Sequence, residues 1–474
     1  MSQFINFANG ILWNHVLIYV LVIAGLWFSF RLKLLQFRHF THMFTVMKNS
    51  HTADKSGISS FEALMTSLAA RVGTGNLAGV AIAISLGGPG AIFWMWVIAL
   101  LGMVTGYSES LLGQLYKVRD SNGEFRGGPV YYINMGLNKP WIALLFSLCL
   151  FLGYGFVFSS VQANTMADAL NHTYQISPMI SGIVIVLMAL PIVIGGVRTI
   201  AKVSSILVPI MGATYVLIAL VICLINIEKV PEIGALIINA AFGLQEAGSG
   251  AIGAAIINGM KRGLYSNEAG SGTVPHAAAC ASPNPHHPAV QGYVQMLGVF
   301  IDTLVICSAT AMIILLVSGP QTTDLTGIRL TQFALSEHVG SWGSHFVSIA
   351  ICLFSFTSII ANYVYAENNL HYFKLDNKAG RWGFTVIFLS FTFWGTVAAL
   401  PDVWALADLS LGLMTLINVG VILALTPTIV AVTKDYNRQR KNKASIYFVD
   451  NKTVKIQGQL AKGIWDATQP RLTR

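Results

Sequence analysis

A stretch of small and polar residues, 69–76, interrupts a segment of the sequence that is otherwise mostly apolar. Gly73 and Gly75 relax the helical backbone, while Thr74 supplies a hydroxyl and Asn76 an amide. In hydrocarbon, the backbone groups that a helix break releases must be satisfied within the protein or line a cavity. The stretch therefore predicts either a binding site whose carbonyls hold a small cation or a seam where small residues let another helix pack closely.

A second polar interruption, residues 263–272, breaks a later apolar segment and is followed by Pro275. Three basic residues lie in or beside the two interruptions, namely Arg71, Lys261 and Arg262. Charges at membrane depth normally face a cavity or a partner. Paired broken helices are the best sequence indication of a transporter's central site.

Glu268, inside the second interruption, is the most costly of these residues to place at membrane depth. It could be a proton-titrating group, a cation ligand or an ion-pair partner of one of the three basic residues, and the ion pair is the favoured interpretation. Glu109 and Asp302, which also lie in apolar segments, allow the same interpretations.

Further polar side chains lie within the apolar segments. The adjacent hydroxyls of Thr357 and Ser358 either bond back to the preceding turn or supply hard oxygen ligands, which suit a small alkali cation better than a transition metal. Gln162 and Asn164 either hydrogen-bond between helices or face the bundle interior. The sequence has no HExxH, Walker A or G-x-S-x-G motif, so we expect neither an enzyme nor an organic cofactor.

The composition is that of a protein that crosses a bilayer several times. Of the 474 residues, 54% are apolar and only 10% charged, and the mean hydropathy is +0.63. The net charge of +9 does not indicate nucleic acid, because ten of the 29 Lys and Arg residues lie after residue 433 and most others lie between apolar segments. The five cysteines form no CxxC pair and are typical of small core residues.

Apolar runs of about 20 residues predict an all-α fold with eleven transmembrane helices. The predicted spans cover residues 11–30, 61–83, 91–115, 141–168, 178–196, 203–227, 250–280, 290–318, 341–366, 383–400 and 405–432. Lys and Arg concentrate in the loops after spans one, three, five and nine and in the tail, which places those parts in the cytoplasm and the amino terminus outside. We therefore expect a multi-pass protein of the plasma or inner membrane.

The two interruptions divide the sequence into corresponding halves. Residues 1–60 would form an extra helix with a cytoplasmic loop, and residues 61–229 and 230–433 two five-helix units of opposite orientation. Residues 434–474 would be a basic cytoplasmic tail that lies against the inner leaflet. Residues 327–338 have apolar side chains at helical spacing and could form an outer lid.

Four stretches of the sequence resemble the alanine or glycine:cation symporter family. They are TSLAARVGTGNLAGVAIAISLGGPGAIFWMW (66–96), VQANTMADAL (161–170), RGLYSNEAGSG (262–272) and FSFTSIIANYVYAE (354–367). The resemblance implies a leucine-transporter-like fold, a 5+5 inverted repeat with one extra helix at the amino terminus. It also implies that sodium, or sometimes a proton, drives the uptake of small neutral amino acids.

The same resemblance implies the residues of the site. The expected substrate contacts at the first break and the facing pocket walls are Thr74, Gly75, Asn76, Gln162, Tyr265 and Ser266. The expected sodium ligands, three backbone carbonyls and two hydroxyls, belong to Ala69, Val72, Phe354, Thr357 and Ser358.

One position departs from the family pattern. Members that handle the smallest substrates resemble a pattern with tryptophan where this chain has Asn362, which leaves a roomier and more polar pocket and makes glutamine a credible substrate beside alanine and glycine. The expected partners are thus a small neutral amino acid, sodium and the lipid bilayer, without nucleic acid. The sequence leaves open a passive channel, or a membrane receptor that binds a ligand without concentrative transport.

Overall fold

The structure is a computed structural model that describes residues 2–48, 50–52, 57–243, 249–317, 325–442, 445–450 and 454–466. These residues are mostly helical, and their one sheet is a two-stranded antiparallel ribbon, β1 (Val118–Arg119) and β2 (Phe125–Arg126). Residues 318–324, at the start of the loop before the predicted lid, lie outside the described residues.

The helices up to residue 241 are α1 (Ser2–Ile11), α2 (Ile18–Arg31), α3 (Leu35–Arg38), α4 (Phe40–Lys48), α5 (Ser60–Arg71), α6 (Val80–Gly87), α7 (Gly90–Leu115), α8 (Pro129–Leu137), α9 (Pro140–Leu152), α10 (Phe158–Tyr174), α11 (Pro178–Ile194), α12 (Gly196–Ile225) and α13 (Val230–Ala241). The later helices are α14 (Ser249–Asn267), α15 (Val274–Ala279), α16 (Ala289–Val299), α17 (Ser308–Leu315), α18 (Gly327–Val339), α19 (Trp342–Tyr372), α20 (Lys378–Val397), α21 (Leu400–Ala424) and α22 (Thr426–Lys441). Wider π-helical turns join some of these helices, at Leu12–Leu17, Gly75–Gly79, Gly153–Val157 and Phe300–Cys307.

Among the described residues, seven helical segments are long and apolar enough to cross a bilayer, and one bent pair raises the number to eight. The seven are Gln3–Arg31, Gly90–Leu115, Pro140–Tyr174, Gly196–Ile225, Ala289–Leu315, Trp342–Tyr372 and Pro401–Ala424. The bent pair, Ser60–Arg71 with Gly75–Gly87, turns by 51° at the first predicted interruption. The chain is therefore a multi-pass membrane protein.

Three of the eleven predicted spans do not meet this measure of length and composition, so the number eleven stays a prediction. The predicted span 178–196 corresponds to α11, which has 17 residues. The predicted span 250–280 divides at its polar stretch into α14 and α15, and the span 383–400 corresponds to α20. The amphipathic helix α13, which packs against α7, was not predicted from the sequence.

Local sequence explains how the first broken helix begins and how the second packs. Helix α5 starts with a capping box, in which Glu62 N–H donates to Ser59 Oγ (3.1 Å) and Ser59 N–H donates to Glu62 Oε2 (2.7 Å). Helix α14 packs closely on α7 through Gly259 and Gly263, where an added Cβ would overlap Ala91 O and the Ile98 side chain respectively. Small residues therefore fix the distance between these two helices.

The helical segment at the amino terminus is fastened to the last long helix, α21. Asn9 Nδ2 donates to Ala405 O at 2.8 Å, and Trp13 Nε1 donates to Asp408 O at 3.1 Å. Trp13 is only 1% exposed. The predicted extra helix is thus part of the packed bundle.

The described part of the tail packs on the protein itself, and its position against the inner leaflet stays a prediction. Trp465 Nε1 donates to Leu115 O at 2.9 Å, Gln459 N–H to Met135 O at 3.1 Å and Phe448 N–H to His286 O at 2.8 Å. The Trp465 side chain is 1% exposed. The tail therefore covers the ends of α7 and α8 and the loop before α16.

We predict that Trp465→Ala releases the tail, because replacing a buried tryptophan by alanine costs about 3–5 kcal/mol. Trypsin should then cleave after the exposed Lys455 and Lys462 several times faster than in the wild type, as followed by the mass of the detergent-solubilised protein. Trp141→Ala, which alters a tryptophan that is 66% exposed, is the matched control. Equal cleavage rates in all three proteins would show that Trp465 does not hold the tail.

Candidate functional site

The first break lies between α5 and α6, where the polar interruption was predicted. The helix ends at Arg71, and Val72 is extended, with φ −77° and ψ 91°. The N–H groups that follow have side-chain partners, since Gly73 N–H donates to Asn76 Oδ1 (3.0 Å) and Thr74 N–H donates to Gln162 Oε1 (3.0 Å). The break is therefore satisfied by buried amides, as hydrocarbon requires.

Close packing occurs at this break, as the packing interpretation of its glycines expected. An added Cβ on Gly73 would overlap Ser358 Oγ, and one on Gly75 would lie 3.1 Å from Ser266 Cα and 3.2 Å from Tyr265 Cδ1. The backbone of the first break thus lies directly against α14 and α19. Larger residues at these two positions would force the helices apart.

The oxygen atoms predicted to bind sodium come together where α5 faces α19. Ser358 Oγ lies 2.8 Å from Ala69 O, 3.4 Å from Val72 O and 3.0 Å from Phe354 O, and Thr357 Oγ1 lies 2.9 Å from Phe354 O. All five residues are buried. The hydroxyls do bond back to the preceding turn, as the alternative interpretation held, but Ser358 also contacts the broken helix.

Asn76 connects the first break to the segment after α16. Its Nδ2 donates to Asp302 Oδ1 at 2.8 Å and to Ser266 Oγ at 3.1 Å. Asp302 Oδ2 in turn accepts from Ser266 Oγ (2.7 Å) and Thr303 Oγ1 (2.8 Å). Asp302, which the sequence singled out only as a carboxylate in an apolar segment, therefore links the two broken helices.

At the second break, α14 ends at Asn267 and the chain turns through Glu268, Gly270 and Gly272, which have φ values of +57°, +95° and +84°. Two glycines suit this left-handed backbone. The Glu268 carboxylate accepts hydrogen bonds from Tyr154 OH (2.7 Å) and Thr273 Oγ1 (2.8 Å). Glu268 is thus held by hydroxyl donors within the bundle.

Glu109 on α7 holds the backbone of this second break. Its Oε1 accepts from Gly270 N–H at 3.0 Å, and its Oε2 accepts from Gly272 N–H at 3.1 Å and from Asn418 Nδ2 at 2.8 Å. Asn418 also donates to Gly270 O at 3.0 Å. A carboxylate in an apolar segment was the available sequence signal for Glu109, while nothing indicated Asn418.

The basic residues beside the breaks do not pair with Glu268 in the described structure, so the favoured sequence interpretation is wrong on this point. Lys261 Nζ lies 2.6 Å from Asp408 Oδ2, and Arg262 Nη2 lies 2.9 Å from the same oxygen. Arg71 Nη2 instead donates to Gln295 Oε1 at 3.4 Å. Asp408, which the sequence analysis missed, supplies the carboxylate because α21 packs beside α14.

Three of the predicted substrate residues that face the first break lie against it, since Gln162 and Ser266 hydrogen-bond to it and Tyr265 lies beside Gly75. Tyr265 lies between the rings of Phe158 and Trp404, with centroids 5.2 and 4.8 Å away. The amide of Asn362, on α19 one turn beyond Ser358, is 1% exposed, and neither its oxygen nor its nitrogen has a hydrogen-bond partner among the described residues. A buried amide without partners is costly, so it is available to a bound polar molecule.

Asn164 has a different role from Gln162. Its Nδ2 donates to Gly395 O and Ala398 O, both at 2.8 Å. Asn164 therefore joins α10 to the end of α20, which is the interhelical interpretation, although it also lines a cavity of about 390 Å³ with Asp168.

The predicted lid is a helix, α18, which lies on the second half of the broken helix. Thr331 Oγ1 donates to Leu77 O at 3.1 Å, and Gln332 Nε2 donates to Ser348 Oγ at 2.9 Å. Arg329 Nη2 lies 2.6 Å from Asp168 Oδ1. Helix α18 thus connects the first break to α10 and α19.

A charged cluster joins the ribbon β1–β2 to the end of α19. Arg126 Nε lies 3.0 Å from Asp120 Oδ2, and Arg381 contacts both Asp120 (3.4 Å) and Glu367 (3.1 Å). Burial acts to raise the pKa of the Asp120 carboxyl, but the Arg126 guanidinium outweighs it and holds that pKa below its usual value. These ion pairs fix the end of α19 to the ribbon.

Comparisons with known proteins agree with the predicted family. The family model described as "Sodium:alanine symporter family" matches residues 1–450. An uncharacterized transporter of Escherichia coli is 45% identical over 98% of this chain and 99% of its own. The probable sodium/glutamine symporter GlnT of Bacillus subtilis is 43% identical over 95% and 94%, and the sodium/alanine symporter AgcS of Methanococcus maripaludis is 36% identical over 93% and 98%.

We predict that Glu109→Leu destabilises the protein, because two backbone N–H groups and the Asn418 amide lose their acceptor. Each buried donor without a partner costs about 1–3 kcal/mol. The midpoint of thermal unfolding, measured by size-exclusion chromatography after heating in detergent, should fall by several degrees.

Glu109→Gln should lie between the leucine variant and the wild type, because its amide keeps one oxygen acceptor. Glu228→Leu, at an exposed position, is the control for loss of a carboxylate. A wild-type midpoint for Glu109→Leu would contradict the role given to Glu109.

Proposed function

We propose, from the premise that this chain belongs to the sodium:alanine symporter family, that it couples sodium entry to uptake of a small neutral amino acid by alternating access about its two helix breaks. The observation that carries the proposal is the contact of Ser358 Oγ with the Ala69 and Val72 carbonyls. It joins the first broken helix to α19 through oxygen atoms, which is the chemistry that a small alkali cation prefers.

Sodium would bind between α5 and α19. Its ligands would be the carbonyls of Ala69, Val72 and Phe354 and the hydroxyls of Thr357 and Ser358. Because the ligands come from two helices, the ion would favour the arrangement in which those helices are together, and this linkage would couple ion binding to substrate binding. A proton is the alternative driving ion, since Glu268 and Asp302 are buried without an ion pair in the described structure.

The amino acid would bind at the first break, beside the sodium. Its carboxylate and ammonium groups would contact Thr74, Gly75 and Asn76, with Gln162, Tyr265 and Ser266 forming the walls. Asn362 would face its side chain, and the partnerless amide supports a polar substrate such as glutamine in addition to alanine and glycine. The glutamine symporter name of one relative supports the same proposal.

The proposed architecture has eleven spans, in which residues 61–229 and 230–433 form oppositely oriented five-helix units after an extra amino-terminal span. The bent first pair and the division between α14 and α15 support this repeat, because the two breaks fall in corresponding positions. The amino terminus would lie outside, with α18 as the outer lid. The ribbon, the charged cluster and the tail after residue 433 would lie in the cytoplasm.

A passive channel or a receptor without transport remains the alternative, and concentrative uptake separates them. Proteoliposomes with an inward sodium gradient should accumulate labelled alanine or glutamine above the external concentration, and collapse of the gradient with a sodium ionophore should release it. A channel would only equilibrate the amino acid, and a receptor would bind it without uptake. Either of those results would overturn the proposed function.

We predict that Thr357→Ala with Ser358→Ala raises the sodium concentration for half-maximal uptake by about tenfold or more, because two hydroxyl ligands are deleted. Substrate binding at saturating sodium should change much less. Ser355→Ala, on the same helix, is the matched hydroxyl control. An unchanged sodium dependence in the double variant would place the ion elsewhere.

We predict that Asn362→Trp lowers the ratio of glutamine to alanine uptake by about tenfold, because the indole fills space that a longer side chain needs and removes its amide partner. Measuring both substrates in the same proteoliposomes under one sodium gradient cancels differences in the amount of protein. Asn164→Trp, at a polar residue that joins α10 to α20, is the control and should leave the ratio unchanged. An unchanged ratio for Asn362→Trp would show that this residue does not face the substrate.

A further inference from the structure

A second polar cavity, of about 310 Å³, lies between the amino-terminal segment, α14 and α21. Its walls include Asn9, Lys261, Trp404 and Asp408. The proposed transport site does not use these residues. The cavity is large enough for a small amino acid, so the chemistry of its walls decides what it could bind.

The walls hold both spare donors and spare acceptors. Asp408 Oδ1, Asn9 Oδ1 and Trp404 Nε1 are buried and have no hydrogen-bond partner among the described residues. Asp408 and Trp404 are 3% and 6% exposed. Buried polar atoms of this kind are costly unless a ligand or water satisfies them.

The charges of the cavity favour a group that is itself negative. Asp408 is shared by Lys261 (2.6 Å) and Arg262 (2.9 Å), so two cations face one carboxylate. The guanidinium of Arg262 also lies over the Trp404 ring, 4.6 Å from its centroid. The Lys261 ammonium, with two further donor hydrogens, is 17% exposed and borders the cavity.

The cavity is separated from the first break by two aromatic rings. Trp404, in its wall, packs on Tyr265 with centroids 4.8 Å apart. Tyr265 Cδ1 in turn lies 3.2 Å from the position of an added Cβ on Gly75. A molecule in the cavity would therefore lie two side chains away from the proposed transport site.

We propose that this cavity is a second binding site for the transported amino acid, on the same side of the membrane as the amino terminus, and this rests on the proposed function. The α-carboxylate binds Lys261 and the Trp404 indole N–H. The α-ammonium binds the free oxygen of Asp408 and the Asn9 carbonyl. The site holds the zwitterion before Tyr265 and Trp404 move apart and admit it to the first break.

The test is the number of amino-acid molecules bound per chain, measured by equilibrium dialysis of labelled glutamine and alanine against the full-length protein in nanodiscs. The wild type should bind two molecules with sodium and one without it, because only the site at the first break needs the ion. The Lys261→Gln variant should bind one amino-acid molecule per chain with sodium. Without sodium, its affinity for the amino acid should be about tenfold or more below that of the wild type. Lys261→Arg, which keeps the charge, should restore the second site.

Lys261 is the better position to vary, because Arg262 still pairs with Asp408 when Lys261 is neutral. Folding of each variant is checked by its sodium-dependent binding at the first break. One molecule per chain in the wild type, or a Lys261→Gln variant with unchanged binding, would overturn the proposal. The proposal would also be overturned if Lys261→Gln left amino-acid binding unchanged and altered only the effect of replacing chloride by gluconate. The cavity would then hold an inorganic anion.

The two proposals fail in different ways. If the wild type concentrates the amino acid with sodium but binds one molecule per chain, the cavity proposal fails and the proposed function stands. If sodium neither drives uptake nor increases binding, the proposed function fails, and the cavity proposal fails with it as a site for a transported molecule.

Discussion

The constraint on which this structure depends is that a helix broken inside a bilayer must satisfy its released backbone groups from within the protein. At the first break, the side-chain oxygens of Asn76 and Gln162 accept hydrogen bonds from the N–H groups of Gly73 and Thr74, respectively. At the second break, the carboxylate of Glu109 accepts two glycine N–H groups. Each acceptor is buried, so the two breaks are held as defined turns and not as frayed helix ends.

The partners that satisfy the breaks also connect them. Asn76 accepts a backbone N–H of its own break and donates to Asp302 and Ser266. Ser266, one residue before the end of α14 at Asn267, donates to the same carboxylate. A change of backbone at the first break would therefore alter the hydrogen bonds of Ser266 in the last turn of α14, which leads into the second break. These contacts are a physical basis for coupling between the two breaks.

The sequence predicted the breaks because their signals are local. Glycines, hydroxyls and amides inside apolar segments located the first break, and the family resemblance implied its facing residues, including Ser358. The sequence could not identify partners that lie far apart in the chain and are brought together only by helix packing. Glu109 and Asn418 are 309 residues apart, and the assignment of Lys261 and Arg262 to Asp408 depends on which helix lies beside α14. The sequence also did not predict the contacts of Trp465 in the tail, because the basic residues around it gave no indication of them.

The Ser358 hydroxyl shows how the proposed ion would alter the energetics of closure. Its one hydrogen can point to only one of three carbonyl oxygens, those of Ala69, Val72 and Phe354, which lie 2.8–3.4 Å away. Phe354 O also accepts from Thr357 Oγ1 at 2.9 Å. When the Ser358 hydrogen points to Ala69 O, the Val72 carbonyl therefore faces the hydroxyl oxygen without a donor between them, which is unfavourable. A cation among these oxygens would attract all of them at once and let the hydroxyl turn its hydrogen away. The contact between α5 and α19 would thus be strong with sodium and weak without it, as a carrier that closes around its substrate only with the ion requires.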